Sequence, residues 1–272
     1  MIFEHVFEYK PSGEPHLVML GRPSDGYRRW CVRPAGRCVD GVLMRRLHSL
    51  LVATALCAAV PIAGANPAVS APQAAAESGL VLHYSMETLS EGTIADMSSS
   101  SLDGQVVGSG TVRLITSLAG YGRALQLTGT QHQFVDVPAS TVLDLDTYTL
   151  SAWVRYTGIQ NDQTLGRWEV LEKAGAYWMN VRTDGLVRVG GFYGVATTYD
   201  GTWLRIYIDG RAAGAKRVAG RTCISGEPMA VGAKNNPTKG LLEAFWDGRL
   251  DEVRVYNRAL NATEIGQLAS RS

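Results

Sequence analysis

Phe245-Trp246-Asp247-Gly248-Arg249-Leu250-Asp251-Glu252-Val253-Arg254-Val255-Tyr256-Asn257-Arg258-Ala259-Leu260-Asn261-Ala262-Thr263-Glu264-Ile265 reads as a strand, a turn and a short capped helix. Val253 and Val255 alternate with charged Arg254, the period-2 pattern of a strand with one buried face. Asn261 followed by Glu264 forms a capping-box pair, which starts a helix there. The same helix cap accounts for the formal glycosylation sequon Asn261-Ala262-Thr263.

Outward from this stretch the chain is strand after strand. From Gly79 on, short apolar runs are separated by Gly, Asp and Asn turns, which is the all-β signal. Strands are expected at 80–86, 111–115, 124–128, 134–137, 148–156, 169–173, 177–182, 186–190, 195–199, 203–209, 229–232 and 248–256. Asp200-Gly201 and Asp209-Gly210 bracket Trp203 to Ile208 as tight hairpin turns would. Strands with one apolar face must bury it against another sheet. The expected fold class is therefore all-β, a two-sheet antiparallel sandwich with one short C-terminal helix.

Several segments carry a family resemblance in addition. They are Leu82-His83-Tyr84-Ser85-Met86, the loop from Ala95-Asp96-Met97 to Asp103-Gly104, Tyr121-Gly122-Arg123-Ala124-Leu125-Gln126-Leu127 with Phe134-Val135-Asp136-Val137-Pro138, and Tyr148-Thr149-Leu150-Ser151-Ala152-Trp153-Val154. The hairpin Ala196-Thr197-Thr198-Tyr199-Asp200-Gly201 with Leu204 to Gly210, and the closing run quoted above, complete the series. In this order they resemble the laminin-G-like (concanavalin A-like) jelly-roll family over residues 79–268. The resemblance implies a jelly-roll topology and binding of glycans or proteins outside the cell, with enzymes in only some of its families. One departure stands out. The family places a loop and a Trp-His-Val-Ala strand start before the Thr-Tyr-Asp-Gly hairpin, whereas here Gly190-Gly191-Phe192-Tyr193-Gly194 runs directly into Val195-Ala196. A deletion of about ten residues or more is expected. It should leave the sheet locally strained or an edge exposed, and would explain a lost binding loop or a lost partner for Cys223.

Ahead of this domain, Met44-Arg45-Arg46 and the apolar run 47–60 have the form of a signal peptide. The run is shorter than the ~20 residues of a spanning helix. Cleavage is expected after Ala65, giving a signal peptide at 44–65 and a linker rich in Ala, Ser and Pro at 66–78. An uncleaved anchor is the alternative. Residues 1–43 read as an extension outside the fold, with Met44 as the true start. The domain itself occupies 79–272, and its expected location is secreted, with no span after cleavage.

Residues 1–65 hold eight of the 26 Lys and Arg and five of the 25 Asp and Glu, which leaves a formal charge of −2 on the rest. That balance offers no electrostatic footprint for nucleic acid or an anionic membrane. Cys31, Cys38 and Cys57 precede the domain and Cys223 is alone within it, so no disulfide framework is expected.

Catalysis is not expected. After the leader only His83 and His132 remain, and no nucleophile elbow, His-Glu-x-x-His pair or phosphate loop occurs. Glu169 and Glu172 flank Val170-Leu171 at an odd separation, which in a regular strand puts them on opposite faces. Glycosidases need two carboxylates facing one bond. The resemblance points instead to Ca2+, with carboxylates from Asp96 and Asp251 and a carbonyl from Ser99. Against this stands a plainer reading, in which Asp96 caps a turn and Asp251 is a solvated strand residue. Sugar binding would use exposed aromatics beside polar groups. Among Trp168, Trp178, Phe192, Tyr193, Trp203 and Trp246, the best placed are Phe192, Tyr193 and Trp203, because they flank turns; Trp153 and Trp178 read as core. The functional expectation is a non-catalytic binding module for a glycan or cell-surface polymer. A carbohydrate-active enzyme and an adhesion or protein-interaction module are the alternatives.

Overall fold

The computed structural model describes residues 18–19, 77–157, 167–182, 190–218, 220–222, 224–236 and 241–270. Its strands are β1 (Val18–Met19), β2 (Leu80–Tyr84), β3 (Thr93–Ile94), β4 (Gly104–Val107), β5 (Arg113–Thr116), β6 (Arg123–Leu127), β7 (Phe134–Val137), β8 (Tyr148–Tyr156) and β9 (Arg167–Lys173). They continue as β10 (Tyr177–Arg182), β11 (Phe192–Tyr199), β12 (Trp203–Ile208), β13 (Arg211–Arg217), β14 (Met229–Val231), β15 (Lys234–Asn236), β16 (Leu241–Glu243) and β17 (Gly248–Tyr256), before helix α1 (Ala262–Ala269).

The strands form two antiparallel sheets. The first runs β1-β10-β9-β14-β7-β4-β3, and the second β13-β12-β11-β8-β17-β6-β5 with β2 also on β17. Between them, Leu150 and Val154 of β8, Val195 of β11 and Leu250 and Val255 of β17 meet Val135, Val137, Leu171, Met179, Met229 and Val231 of the first sheet. Burial of each such side chain stabilises the sandwich by about 1.5–3 kcal/mol. Trp168 and Trp246 both pack on Tyr156, with ring centroids 4.4 and 6.1 Å away.

β7, β8, β10 and β17 keep their expected bounds, while 186–190 lies largely outside the described residues, as do the expected signal peptide, most of the linker and Cys223. Val18 and Met19 pair with Val181 and Asn180 at the edge of the first sheet. β13 was not foreseen, for a physical reason. Its sequence Arg-Ala-Ala-Gly-Ala-Lys-Arg has no apolar alternation because it is an exposed strand at the end of its sheet, held mainly by pairing with β12. The turn joining them is the tight one expected: Asp209 and Gly210 have φ of 48° and 75°, the positive values that a two-residue hairpin turn requires.

The shortened approach to Val195 does not disturb the sheet. β11 pairs without a register shift with β8 over Phe192 to Tyr199 and with β12 over Val195 to Tyr199. Gly190, at φ 87°, makes the turn into the strand. Both sides of β11 are thus paired over Val195 to Tyr199, whereas Phe192 and Tyr193 pair with β8 alone.

Two bulges shape everything that follows. In β9 Leu171 pairs with Met179 but Glu169 pairs with Asn180, so β9 carries one extra residue. Val170 and Leu171 consequently both reach the core. In β17 Asp251 pairs with Trp153 and Arg254 with Ser151, again one residue in excess, and Glu252 takes the left-handed φ of 51°. Beyond β17 the chain turns into α1 through the foreseen capping box. Asn261 Oδ1 accepts from the amides of Thr263 and Glu264, and Glu264 Oε2 accepts from the amide of Asn261. The helix lays Ile265 and Leu268 against Ala196, Tyr207 and Tyr256, covering part of the outer face of the second sheet.

Candidate functional site

Asp96 sits in the loop after β3, where the chain must return to the sheet through backbone donors left outside any ladder. Its Oδ1 accepts from the amides of His83 and Ser98, and its Oδ2 from the Ser98 hydroxyl and the Leu102 amide, at 2.8–2.9 Å. The side chain therefore closes the turn, as the plainer reading had it, while Ser99 is exposed beside it. Asp251 departs from the plainer reading because it is not solvated: it is 0% exposed and accepts from the Ser117 hydroxyl at 2.5 Å. The β17 bulge adds Glu252 to the same region, where its carboxylate meets Arg254 and, at 2.9 Å, His83 Nε2. Burial lowers the Arg254 pKa from its ordinary value, opposed by Tyr256, Asp251 and Tyr121. Among the described residues no group of three or more His, Cys, Asp or Glu side chains is arranged to hold a metal ion.

The three aromatics singled out by sequence do not converge. Phe192 faces away from the core, opposite Arg155. Tyr193, the next residue, turns the other way and packs partly buried against the core. Trp203 is 41% exposed, beside Arg205 with the guanidinium 5.9 Å from its ring, but beyond the far end of β11. Seven residues of strand separate its neighbourhood from Phe192, roughly 23 Å at the usual rise. Trp153, Trp168 and Trp246 are buried, whereas Trp178, expected in the core, is only half-buried.

The alternation of β10 explains Trp178, and the bulge in β9 overturns the parity argument for the glutamates. Tyr177, Met179 and Val181 of β10 point into the core, so Trp178 and Asn180 point outward. Glu172 pairs with Trp178, and Glu169 with Asn180, whose amide lies 3.5 Å from a Glu169 oxygen. Both glutamates thus belong to the outer face of the first sheet, at 5% and 1% exposure. From Trp178 a row of paired residues crosses that face: Trp178, Glu172, Ala230, Asp136, Gln105 and Thr93. Asp136 and Gln105 are exposed, and partial burial raises the Asp136 carboxyl above the usual carboxylate range. Ala230 of the row joins Phe134, Ala233 and Phe245 in a small apolar cluster, with the imidazole of His132 4.7 Å from the Phe245 ring. Sequence reasoning missed this row because its members come from separate strands; the one available signal was Val170-Leu171, two adjacent apolar residues breaking the alternation.

The arrangement now stands beside known proteins. Residues 160–266 match the laminin-G family model of the concanavalin A-like lectin/glucanases superfamily. That stretch is similar to the laminin-G family. Solved structures agree on the fold. Domain 4 of AbnA, a GH43 extracellular arabinanase from Geobacillus stearothermophilus solved with arabinotriose, has a TM-score of 0.53 at 19% identity over 70% of this chain and 98% of that one. The binding domain of Paraclostridial Mosquitocidal Protein 1 gives 0.52 at 15% identity, over 71% of this chain and 52% of that one. The binding domain of Botulinum Neurotoxin DC in complex with SialylT gives 0.50 at 12% identity, over 71% and 51%. This chain spans about half the length of those two toxin domains. No curated protein matches it. Among the described residues, no helix of this chain is long and apolar enough to cross a membrane.

Proposed function

We propose that the chain is an exported, non-catalytic glycan-binding module that holds its ligand on the outer face of the first sheet. One observation carries the reading: half-buried Trp178 and Thr93 and exposed Asp136 and Gln105 stand in one row on this face, joined through the buried Glu172 and Ala230, so an aromatic lies in line with carboxylate, amide and hydroxyl groups. A pyranose or furanose presents apolar C–H faces and a rim of hydroxyls, which is the complement of such a row. The fold likeness to a domain solved with arabinotriose adds support and supplies the first neutral probe. Calorimetric titration of the full chain with arabinotriose, beside a glycan array, tests the reading. Saturable binding weakened by Trp178→Ala supports it, and an array with no glycan bound refutes it.

A second reading, a carbohydrate-active enzyme, gains from the β9 bulge, since Glu169 and Glu172 share one face. Reducing ends released from a polysaccharide by the wild-type chain but not by Glu172→Gln would establish it. A structural Ca2+ at Asp96, Ser99 and Asp251 would have to compete with the backbone and hydroxyl donors that engage both carboxylates.

A further inference from the structure

The outer face of the second sheet holds a different row. Strand register places Arg113 opposite Gln126, Gln126 opposite Arg249, Arg249 opposite Arg155 and Arg155 opposite Phe192. The row crosses β5, β6, β17, β8 and β11, about 19 Å at the usual strand spacing. It lies to one side of the region that α1 covers, because α1 contacts β11 at Ala196, four residues beyond Phe192. Arg155 and Arg249 both approach the Phe192 ring, with guanidinium carbons 6.0 and 5.9 Å from its centroid.

Like charges directly opposite each other across a ladder are destabilising. Here the described residues supply only carbonyls to the pair: Arg155 Nε donates to Gly190 O and Arg249 Nη1 to Thr116 O, at 2.8 and 2.9 Å. Arg249 Nε is buried with no hydrogen-bond partner among them. Burial first, and Arg155 second, lower the pKa of Arg249, and no acid is among the causes. The chain as a whole is near neutral, with a formal charge of +1, so this is a local excess of positive charge. Guanidinium groups bind planar oxyanions in a bidentate fork, and the Phe192 ring at the end of the row, near both of them, offers an apolar surface to the body of the same ligand.

We infer that Arg155, Arg249, Arg113 and Phe192 form a second binding site, for a glycan bearing carboxylate groups. The carboxylate of a uronic acid residue bridges Arg155 and Arg249, its ring lies on Phe192, and Arg113 meets the next acidic residue along the row. This inference goes beyond the neutral-glycan site on the opposite sheet and is tested by different probes.

The experiment is affinity electrophoresis of the full chain in polygalacturonate and in its fully methyl-esterified form, with dextran sulfate as a third arm. Retardation by polygalacturonate at least tenfold stronger than by the ester, and lost in the double variant Arg155→Gln/Arg249→Gln, is the expected result. The double variant should melt no lower than the wild type, since it removes a repulsive pair. Arg155→Lys keeps the charge without the fork, so a several-fold loss there shows that geometry matters even if the double variant misfolds. Equal retardation by acid and ester overturns the inference, as does unchanged binding in Arg155→Lys together with the double variant. Stronger retardation by dextran sulfate than by polygalacturonate overturns the carboxylate assignment. Binding of arabinotriose, measured separately, reports on the first site, so failure of one proposal is distinguishable from failure of the other.

Discussion

Asp96 shows how one side chain decides between two accounts of the same loop. Four donors converge on its carboxylate, and hydrogen bonds to a charged acceptor are each worth about 1.5–3 kcal/mol before compensation by water. Asp96→Ala should therefore destabilise the domain by about 1–3 kcal/mol in urea unfolding, and by the same amount with EDTA present. A variant whose whole loss disappears in EDTA would assign the residue to a metal instead. Asp251 is fully buried and bonded to Ser117, so Asp251→Ala should cost about 2–3 kcal/mol. Glu264 carries a pH signature. The Arg258 guanidinium and the Asn261 amide hold its carboxyl below the usual 4.5. A depressed folded-state value contributes stability that is complete above the unfolded value and is lost as pH falls through the folded one. Glu264→Gln should accordingly be less stable than the wild type at pH 7, with the difference shrinking below about pH 4.5. Equal pH profiles for the two proteins would remove this role. Asn261 and Glu264 were legible as a cap because both partners lie within one turn of chain. The environment of Asp251 was not, because its hydrogen-bond partner Ser117 lies 134 residues away.

At the scale of elements, regular strands were readable and irregular ones were not. Four strands have the bounds that alternation implies, since alternation records which face meets the core. Parity then failed at β9, where one extra residue turned Glu169 to the side of Glu172. The same device in β17 moved Glu252 next to Arg254 and His83. A bulge is a property of pairing between strands, so counting along one strand cannot reveal it. For helix α1 the local account is complete enough to predict a magnitude. Asn261→Ala should lower stability by about 1 kcal/mol, seen as a lower urea midpoint with an unchanged slope. A midpoint within error of the wild type would mean that packing on Tyr207 and Tyr256 holds the helix without its cap.

For the whole molecule, the two sheets present different outer faces. One outer face is partly occupied by α1 and carries the arginine row; the other carries the row that starts at Trp178. Fold class was legible because a sandwich needs only many amphipathic strands and no second helix. The site was not, because each row takes single residues from successive strands whose order in the sheet is not their order in the chain. Phe192 alone among the expected ligand residues lies in either row. The most direct measurement is a glycan array probed with the full chain and with Trp178→Ala, competed by free sugar. The account predicts at least one neutral oligosaccharide bound by the wild type and weakened at least tenfold in the variant, about 1.4 kcal/mol of affinity, with the melting temperature of the variant within a few degrees. Binding that survives Trp178→Ala unchanged, or an array with no neutral glycan bound, would contradict it.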